Sequence, residues 1–348
     1  MNDRLVRGKG PRIALDAMGG DRAPGEPIAG AILAARELGI AVTLVGPREI
    51  VDRELKRHQS SALPLEIVDA PDVIGMAEPP VQAVRHHPDA SLNVGMRLVK
   101  SGAADGLVSA GNTGAVMVAA LLTLGRAPGI ERPALATMFP TLTGYCLLLD
   151  VGANVDCRPS HLLQFAVMGE RYARLVLGIP APRVGLLSNG EEETKGNALV
   201  QEAHRLLRDA GVHFVGNIEG KDIPRGLADV VVCDGFVGNA LIKFGEGIAD
   251  LAFSLLRSEL SRSPLGVVGG LLLRPSLQRL KRRIDYQEYG GAPLLGVDGV
   301  VVVAHGRSSA RAIRNAIRLA AQTATVRSRG LLAVDDAGGN SAAARASP

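Results

Sequence analysis

The chain has 348 residues, of which 47% are hydrophobic and 21% are charged, which excludes a wholly disordered protein and predicts a large buried core. Trp is absent and aromatic residues make up only 3%, so the core is expected to consist of Val, Leu, Ile and Ala, while 42 glycines indicate many tight turns. The net charge of +4 is mild and is compatible with an anionic partner or with an ordinary enzyme surface.

Short β-branched or Leu-rich runs alternate along the chain with longer segments whose apolar residues recur at helical spacing. This alternation predicts an α/β fold with a doubly wound, mainly parallel sheet, in a single catalytic domain of residues 12–325 that has room for two lobes sharing the sheet. Residues 1–11 are predicted to be a flexible segment and residues 326–348 a disordered tail. The strands are predicted at 12–16, 42–46, 65–69, 106–110, 135–139, 146–150, 184–188, 213–217, 230–233 and 300–304, and the helices at 26–38, 47–58, 91–100, 114–124, 161–177, 194–210, 239–260 and 308–321.

One local pattern recurs at the ends of six predicted strands, where Gly follows at once together with Asn, Asp, Ser or Thr. In a doubly wound sheet the carboxyl ends of the strands form the edge at which ligands bind, so these six turns are expected to form one large site. The turns are ALDAMGGD (14–21), VSAGNTGA (108–115), LLDVGANVD (148–156), LLSNGEEETKGN (186–197), VCDGFVGN (232–239) and VAHGRSS (303–309).

The chemistry that these turns favour is the binding of an anion. The sequence contains neither a dinucleotide-binding G-x-G-x-x-G after a strand nor a P-loop. The turns at 111–114 and 190–196 lead into predicted helices, whose first N–H groups are unpaired and attract negative charge. Lys195 either adds a positive charge to the second of these turns or pairs with a glutamate of the same turn.

The aspartates in the turns do not have the spacing of a metal site, and no metal or other cofactor is predicted; they are expected to cap helices or close turns. Nucleophilic catalysis by the protein is poorly supported, because there is no G-x-S-x-G and two of the three cysteines lie in apolar strand runs. Cys157 is the only thiol that merits a test. If the substrate supplies the nucleophile, the enzyme needs an anion site, oxyanion donors and a group that helps the leaving thiolate, for which Lys195 and His305 are suitable types of residue.

The three cysteines form no C-x-x-C pair and leave an odd number, which favours a reducing compartment over a disulfide framework or a zinc site. The charged N-terminal residues lack the apolar run of a signal peptide, and no apolar run approaches the ~18 residues of a membrane span. A cytoplasmic protein is therefore expected, with peripheral contact to a membrane surface left open.

The same turns, with two further segments, closely resemble the bacterial phosphate acyltransferase family (PlsX). The matching segments run in order over about residues 13–321: ALDAMGGDRAP (14–24), SAGNTGA (109–115), GIERPAL (129–135), DVGANVDC (150–157), GEEETKGN (190–197), CDGFVGN (233–239), YGGAPLLGV (289–297) and AHGRSS (304–309). The resemblance implies a fold like that of phosphotransacetylases and isopropylmalate dehydrogenases, usually in a homodimer. It also implies transfer of a fatty acyl group from acyl carrier protein to inorganic phosphate, giving an acyl phosphate for a membrane-bound glycerol-phosphate acyltransferase of phospholipid synthesis.

For such a reaction we expect phosphate to bind among the turns at 111–114 and 190–196 and to attack the thioester directly. Asn154 or Asn239, or main-chain N–H groups, are expected to stabilise the oxyanion. The candidate catalytic residues are Lys195, Asn154, Asn239 and His305. The candidate phosphate-binding or substrate-binding residues are Asp16, Gly19, Gly20, Asp21, Gly111, Asn112, Thr113, Gly114, Gly190, Glu192, Gly196, Asp234 and Gly235.

A further segment, SPLGVVGGLLLRPSLQRLKRR at 263–283, joins an apolar run to a basic stretch and is predicted to be part of a protruding helical element near 251–290. It is suited first to a membrane surface or an acidic carrier protein, and the alternative is a dimer interface with a solvated basic face. Nucleic-acid binding is not expected, because the stretch lacks interleaved aromatic residues. The candidate contact residues are Leu271, Leu272, Arg274, Arg279, Lys281, Arg282 and Arg283.

Two rival functions remain open. One is a nicotinamide-dependent decarboxylating dehydrogenase on the related fold, which would need an acidic metal cluster and a nicotinamide site, and neither is visible in the sequence. The other is a membrane-surface scaffold for lipid synthesis, which only the segment at 263–283 suggests.

Overall fold

A computed structural model describes residues 10–58, 60–284 and 290–328, without the side chains of 281–284 and 328. The strands are β1 (Arg12–Asp16), β2 (Ala41–Gly46), β3 (Leu65–Asp69), β4 (Gly106–Ser109), β5 (Ala134–Thr141), β6 (Gly144–Leu149), β7 (Val184–Leu187), β8 (Phe214–Ile218), β9 (Val230–Val232), β10 (Ala292–Leu295) and β11 (Val301–Val303). The helices are α1 (Gly25–Leu38), α2 (Arg48–Leu55), α3 (Pro80–His86), α4 (Ser91–Lys100), α5 (Thr113–Thr123), α6 (Pro159–Leu175), α7 (Ala198–Arg208), α8 (Gly235–Leu260), α9 (Pro264–Ile284) and α10 (Ala310–Ser328).

The strands form one 11-stranded sheet in the order β3-β2-β1-β4-β11-β10-β5-β6-β9-β7-β8. Successive side chains of a strand point to opposite faces, and both faces are covered. In β1, Ile13 and Leu15 belong to one core cluster, with residues of α1, α6, α7 and α10, whereas Ala14 belongs to a second cluster, with residues of α3, α4 and α5. The strands therefore have apolar residues on both sides, as a doubly wound sheet requires, and the predicted fold class is confirmed.

Close approach of helices to the sheet and to each other depends on small residues at particular positions. A Cβ on Gly30 of α1 would lie 2.5 Å from Cβ of Ile313 in α10, so only glycine permits this helix pair to pack as closely as it does. A Cβ on Gly169 of α6 would lie 2.7 Å from Val230 of β9. These contacts explain part of the high glycine content.

The direction of the strands changes in the middle of the sheet. Strands β1 to β4 and β11 are parallel, β10 is antiparallel to both β11 and β5, and β6 is antiparallel to β5. Strands β6, β9, β7 and β8 are again parallel to one another. Consequently β1, β4 and β11 end at one edge of the sheet, which we call the first edge. The strands β6, β9 and β7 end at the opposite edge, which we call the second edge.

Several predicted elements differ from the structure. The strand β10 and the helix α3 were not predicted, because each is short and begins next to proline, which weakens the period on which prediction depends. The helix α7 begins at Ala198, after the cap Asn197, and not at residue 194. The helix α10 continues through Ser328, so residues 326–328 are not part of a tail. No helix among the described residues is long and apolar enough to cross a membrane.

Candidate functional site

Asp16, the last residue of β1, is buried at the first edge and organises the turn that follows it. Its carboxylate accepts hydrogen bonds from Oγ of Ser91 (2.6 Å) and Oγ of Ser109 (2.7 Å), and from the main-chain N–H of Met18 (3.2 Å). Burial raises the pKa of the Asp16 carboxyl, although these hydrogen bonds act in the opposite direction. Asp16 thus joins the turn after β1 to the turn after β4.

Glycines allow three turns of the first edge to touch. A Cβ on Gly19 would lie 2.6 Å from Oδ2 of Asp16 and 2.8 Å from N of Gly111, and Gly20 has φ 111°, a value that side chains disfavour. The main-chain N–H of Asp21 donates to the carbonyl oxygen of Gly306 at 2.8 Å, which joins the turn after β1 to the turn after β11. The turns after β1, β4 and β11, with Gly19, Gly20, Gly111 and Gly306, therefore form one continuous surface, which we call the glycine surface.

The helix α5 begins on this surface. Asn112 caps it by accepting from the main-chain N–H of Ala115 (3.1 Å), and its Nδ2 donates to the carbonyl oxygens of Met76 and Glu78. Thr113 and Gly114 are the first two residues of the helix, where main-chain N–H groups have no partner within the helix. The N-terminus of α5, which is the positive end of the helix dipole, is therefore fixed on the glycine surface.

His305 lies on the same surface, in the turn after β11. Its Nδ1 accepts from the main-chain N–H of Arg307 at 3.2 Å, so the ring proton is on Nε2. Burial lowers the pKa of His305, and so does the positive charge of Lys243; Glu246 and Asp21 act in the opposite direction. Lys243 and Glu246 form an ion pair of 2.9 Å on α8.

Lys243, Glu246 and Arg307 were not predicted as site residues. Lys243 and Glu246 belong to the third turn of a helix that begins at the other edge, and no local spacing in the sequence connects them to His305. Arg307 lies within the motif AHGRSS, two residues after His305, and this proximity in the sequence could have indicated it as a site residue.

The second edge has its own buried aspartate, Asp150, which follows β6. Its Oδ2 accepts from the main-chain N–H of Asn154 (2.6 Å) and from Nδ2 of the same residue (2.9 Å), and Oδ1 accepts from the N–H of Leu135 (3.0 Å). Burial raises the pKa of Asp150 against these hydrogen bonds. Asn154 also donates from Nδ2 to the carbonyl oxygen of Pro133 (2.7 Å), so its amide N–H groups bind protein acceptors. Asn154 is therefore less suited to donate a hydrogen bond to an oxyanion.

The turn after β9 lies against the turn after β6. Asp234 caps α8 by accepting from the N–H of Val237 (2.9 Å), and a Cβ on Gly235 would lie 2.7 Å from the carbonyl oxygen of Asn154. Asn239, in the second turn of α8, is exposed and lies about 4 Å from the position that a Cβ of Gly152 would occupy. Asp234 therefore caps a helix, as predicted for the aspartates of these turns.

A cleft of about 610 Å³ opens beside these turns. Leu121 of α5 forms one wall, the loop before β5 a second, and the start of α6 a third. Apart from Cys157, none of the residues that line the cleft was predicted as a site residue, although Glu131, Arg132 and Pro133 lie within the motif GIERPAL. The lining residues are Leu121, Arg126, Glu131, Arg132, Pro133, Asp156, Cys157, Arg158 and His161.

The third turn of the second edge is the segment 190–196, after β7. Lys195 is exposed, and a Cβ on Gly190 would lie 2.7 Å from its Cγ. The N–H of Gly196 donates to Oδ1 of Asn189 at 2.8 Å, and Glu192 accepts at its carbonyl oxygen from Nδ2 of Asn217. Carboxylate oxygens of Glu191, Glu219 and Asp222 lie within 4.8 Å of one another nearby. This turn therefore has an acidic environment.

The expectation that all six turns line one edge is wrong, because the strands reverse direction between β11 and β6. The turn at 111–114 lies at the first edge and the turn at 190–196 at the second. Asp16, Gly19, Gly20, Asp21, Gly111, Asn112, Thr113, Gly114 and His305 lie at the first edge; Asn154, Gly190, Glu192, Lys195, Gly196, Asp234, Gly235 and Asn239 lie at the second.

The predicted contact segment is largely the helix α9, which packs against α8 and bears exposed leucines. Leu271 is 63% exposed and Leu272 is 77% exposed. Arg274 is exposed, and Nη2 of Arg279 donates to Oγ of Ser276 at 2.9 Å. The side chains of Lys281, Arg282 and Arg283 lie outside the described residues.

Solved structures with a similar fold place the chain in a structural class. Phosphotransacetylases from Streptococcus pyogenes (TM-score 0.61, 18% identity, covering 93% of this chain and 99% of that chain) and Staphylococcus aureus (EutD; 0.58, 18%, 92% and 96%) resemble it. A 4-hydroxythreonine-4-phosphate dehydrogenase from Klebsiella pneumoniae is a more distant neighbour (0.51, 15%, 91% and 100%). The protein thus has the α/β fold that phosphotransacetylases share with a group of dehydrogenases.

The sequence comparisons are more specific. The model of the family described as fatty acid synthesis protein matches residues 11–328, and the chain belongs to this family. The phosphate acyltransferases of Heliobacterium modesticaldum (55% identity, covering 89% of this chain and 93% of theirs) and Geotalea daltonii (51%, 89% and 89%) are similar to it over nearly their whole length. The chain is therefore an acyltransferase, and the resemblance to phosphate acyltransferases is confirmed.

Proposed function

We propose that the protein transfers a fatty acyl group from the thioester of acyl carrier protein to inorganic phosphate, giving an acyl phosphate for phospholipid synthesis. The name of the relatives supports phosphate as the acceptor, and the family description supports a fatty acyl substrate. The observation that carries the proposal is the continuous glycine surface of the first edge, where three turns meet the N-terminus of α5. Such a surface suits a phosphate held by main-chain N–H groups.

Cations close to this surface support phosphate binding there. Arg307 is exposed next to Gly306, which contacts the turn after β1, and Lys243 is near enough to His305 to affect its pKa. The turn at 190–196 is less suitable, because three consecutive glutamates precede Lys195 in the chain and repel an anion. We therefore assign phosphate to the first edge and treat Lys195 as the alternative.

Direct attack by phosphate is the simplest route. A phosphate oxygen forms a bond to the thioester carbon, the carbon–sulfur bond breaks, and the carrier leaves as a thiolate that takes up a proton from solvent. His305, whose Nε2 carries the ring proton, is of the residue type that can donate a hydrogen bond to the oxyanion or to the departing sulfur. Positioning and charge stabilisation then provide the catalysis.

The cysteines support this route over a covalent acyl-enzyme. Burial raises the pKa of Cys157 to about 11, with Asp150 and Asp234 adding to the effect, so only about one thiol in 10,000 is ionised at pH 7. Burial raises the pKa of Cys146 to about 12. Neither thiol is activated as a nucleophile.

Release of carrier thiol tests the function. Acyl carrier protein loaded with a labelled fatty acid should release free thiol when phosphate is present and not when sulfate replaces it. Without phosphate the enzyme should acquire no label that survives denaturation. A stable labelled enzyme would contradict direct attack, and thiol release that ignores phosphate would contradict the proposed function.

Two variants distinguish the candidate phosphate sites. Replacing Arg307 with Gln is expected to raise the KM for phosphate about 10-fold and to leave the KM for the acyl carrier within about twofold, because one charge-assisted contact is lost. Lys195→Ala should change the KM for phosphate less than Arg307→Gln does. The opposite order would move phosphate to the turn at 190–196.

The exposed leucines of α9 support a second element of the proposal, peripheral contact with a membrane surface, which would bring the product close to a membrane-bound glycerol-phosphate acyltransferase. A cytoplasmic homodimer is the form in which we expect the enzyme to act. An interface between two copies or with the carrier protein is the alternative use of α9.

Nothing in the described residues favours the scaffold or the dehydrogenase over the acyltransferase.

A further inference from the structure

The cleft beside the second edge contains an unusual concentration of arginine. Arg126, Arg132 and Arg158 line it, and all three are exposed to it or to solvent. Two carboxylates, Glu131 and Asp156, share the lining, so the charges of arginines and carboxylates leave an excess of one positive charge. No carboxylate of the described residues forms an ion pair with any of the three guanidinium groups.

The protein fixes the cleft in shape. Oε1 of Gln164, on α6, accepts from the N–H of Glu131 (2.8 Å), and its Nε2 donates to the carbonyl oxygen of Gly129 (3.0 Å), which holds the loop before β5 against the helix. Nη1 of Arg126 donates to the carbonyl oxygen of Glu131 at 2.8 Å. The loop is therefore held by its residues Gly129 and Glu131, immediately before Arg132.

One of the two carboxylates of the lining, Glu131, lies next to a histidine. Nε2 of the buried His161 lies 3.3 Å from Oε2 of Glu131, and Nδ1 of His161 accepts from the N–H of Arg158 at 3.1 Å. The imidazole of His161 thus lies between the carboxylate of Glu131 and the first turn of α6. The arginines remain available to an external anion, for which guanidinium groups are well suited.

The size of the cleft indicates more than a free anion. A volume of about 610 Å³ is in the range of pockets that hold a small organic molecule, far larger than one phosphate needs. Leu121 and Pro133 add apolar surface beside the arginines. A phosphate group attached to an uncharged chain would match both parts of the lining.

The helix α5 leads from the cleft to the first edge. Thr113 begins the helix on the glycine surface, and Leu121 lines the cleft eight residues later, ~12 Å along the axis at 1.5 Å per residue. Thr113, Met117 and Leu121 are four residues apart on one face, and none of them is buried. An extended chain lying along this face would have its phosphate in the cleft and its far end near the glycine surface.

We propose that the arginine cleft binds a phosphate ester, namely the phosphodiester at the root of the carrier's prosthetic arm, with the arm following α5 to the first edge. This assignment rests on the proposed function and names the part of the acyl-carrier substrate that the second edge recognises. The shared chemistry, a phosphate group, also fits free phosphate, and the experiment separates the two sources.

Calorimetric binding to the full-length protein provides the test, with 4′-phosphopantetheine, pantetheine and inorganic phosphate as separate probes. Wild type should bind 4′-phosphopantetheine at least 10-fold more tightly than pantetheine. Arg132→Gln and Arg158→Gln should each remove most of that difference and raise the KM for the acyl carrier about 10-fold. Arg53→Gln, a change at an exposed arginine of α2, is the control and should resemble wild type.

Three results would overturn the proposal. Equal binding of 4′-phosphopantetheine and pantetheine would show that the phosphate is not recognised. Unchanged binding in both cleft variants would place recognition elsewhere. A rise in the KM for inorganic phosphate alone would make the cleft the site of the acceptor. If binding depends on Arg132 while wild type releases no thiol with phosphate, the cleft assignment stands and the proposed function fails.

Discussion

Two buried aspartates, Asp16 and Asp150, perform the same structural task at opposite edges of the sheet. Each follows the last buried residues of a strand, and each collects hydrogen bonds from the turn beyond it and from a neighbouring element. Burial raises the pKa of both carboxyls. Their loss would leave several buried donors without an acceptor, which is more costly than the loss of a single surface hydrogen bond.

His305 provides a prediction for the pH dependence of the reaction. Burial and Lys243 lower its pKa, with Arg307 adding to them and Glu246 and Asp21 opposing, which favours the neutral ring. Because Nδ1 accepts from the N–H of Arg307, protonation of Nδ1 would break the hydrogen bond that orients the ring, so activity should fall as the pH decreases through an apparent pKa below the usual ~6.5. His305→Asn should lower kcat about 100-fold and remove this acidic limb.

The measurement is kcat/KM from pH 5 to pH 8 at saturating phosphate, with circular dichroism at each pH to confirm that the protein stays folded. An acidic limb of the same midpoint in His305→Asn would mean that another group titrates. His58→Asn, at a partly exposed histidine in the region of α2, is the control and should retain the wild-type profile.

At this scale the sequence identified the glycines and the polar turn residues well, because turn chemistry is local. It did not identify Lys243 or the three arginines of the cleft. Lys243 reaches His305 only because a helix from another strand runs past it, and Arg126, Arg132 and Arg158 meet only when α5, the loop before β5 and α6 pack together. Such juxtapositions carry no spacing that a single sequence reveals.

At the scale of elements, α8 is the helix that connects the two edges. It starts at Gly235, beside Asp150, and carries Lys243 and Glu246 to His305. Its start is very close to the sheet, because a Cβ on Gly238 would lie 1.9 Å from the carbonyl oxygen of Asp150. The position of α8 therefore depends on glycine at residue 238.

Two glycine substitutions in α8 test this dependence. Gly238→Ala is expected to reduce the free energy of unfolding by about 1–3 kcal/mol, because the helix must move away from Asp150, and to reduce kcat with it. Gly247→Ala, in the same helix with no atom within 4 Å of the added Cβ, should raise stability by about 0.5–1 kcal/mol. Urea unfolding and steady-state kinetics on both variants provide the measurements.

Equal effects of the two substitutions would contradict the close contact at Gly238.

The sequence predicted most helices and strands to within a few residues, because period and propensity are properties of each segment. It failed for β10, a strand of four residues with proline in it, whose existence depends on the antiparallel neighbours β11 and β5.

At the scale of the molecule, the change in strand direction within the sheet could not be predicted from the sequence. Each βα turn was predicted correctly as a turn, but the directions of β10 and β6 depend on which strands pair, and pairing involves residues far apart in the chain. The candidate site consequently divided into two groups. The overall class, a doubly wound α/β sheet, was predictable because both faces of every central strand are apolar.

The outer surface of α9 also provides a prediction at this scale. Changing Leu271 and Leu272 together to Ser should reduce co-sedimentation with vesicles of phosphatidylglycerol and phosphatidylethanolamine about 10-fold, because two exposed apolar side chains are removed, and leave the melting temperature unchanged. Leu142→Ser is the matched control, since Leu142 is 76% exposed and Leu272 is 77% exposed. Neutral phosphatidylcholine vesicles should bind both proteins weakly.

Analytical ultracentrifugation of the double variant decides between the uses of α9. Dissociation of a dimer with unchanged vesicle binding would assign the helix to an interface between copies. A rise only in the KM for the acyl carrier would assign it to the carrier protein.

The continuity of α8 sets a rule for how the chain length can vary. From Gly235 to Lys243 the helix advances ~12 Å, and one inserted residue in this part would turn everything beyond it by about 100° and move it ~1.5 Å. Lys243 would then face away from His305 although both ends of the helix remained folded. The residues of α8 beyond Glu246 are not part of the site described above, so insertions and deletions there should reduce activity less than insertions in its first three turns.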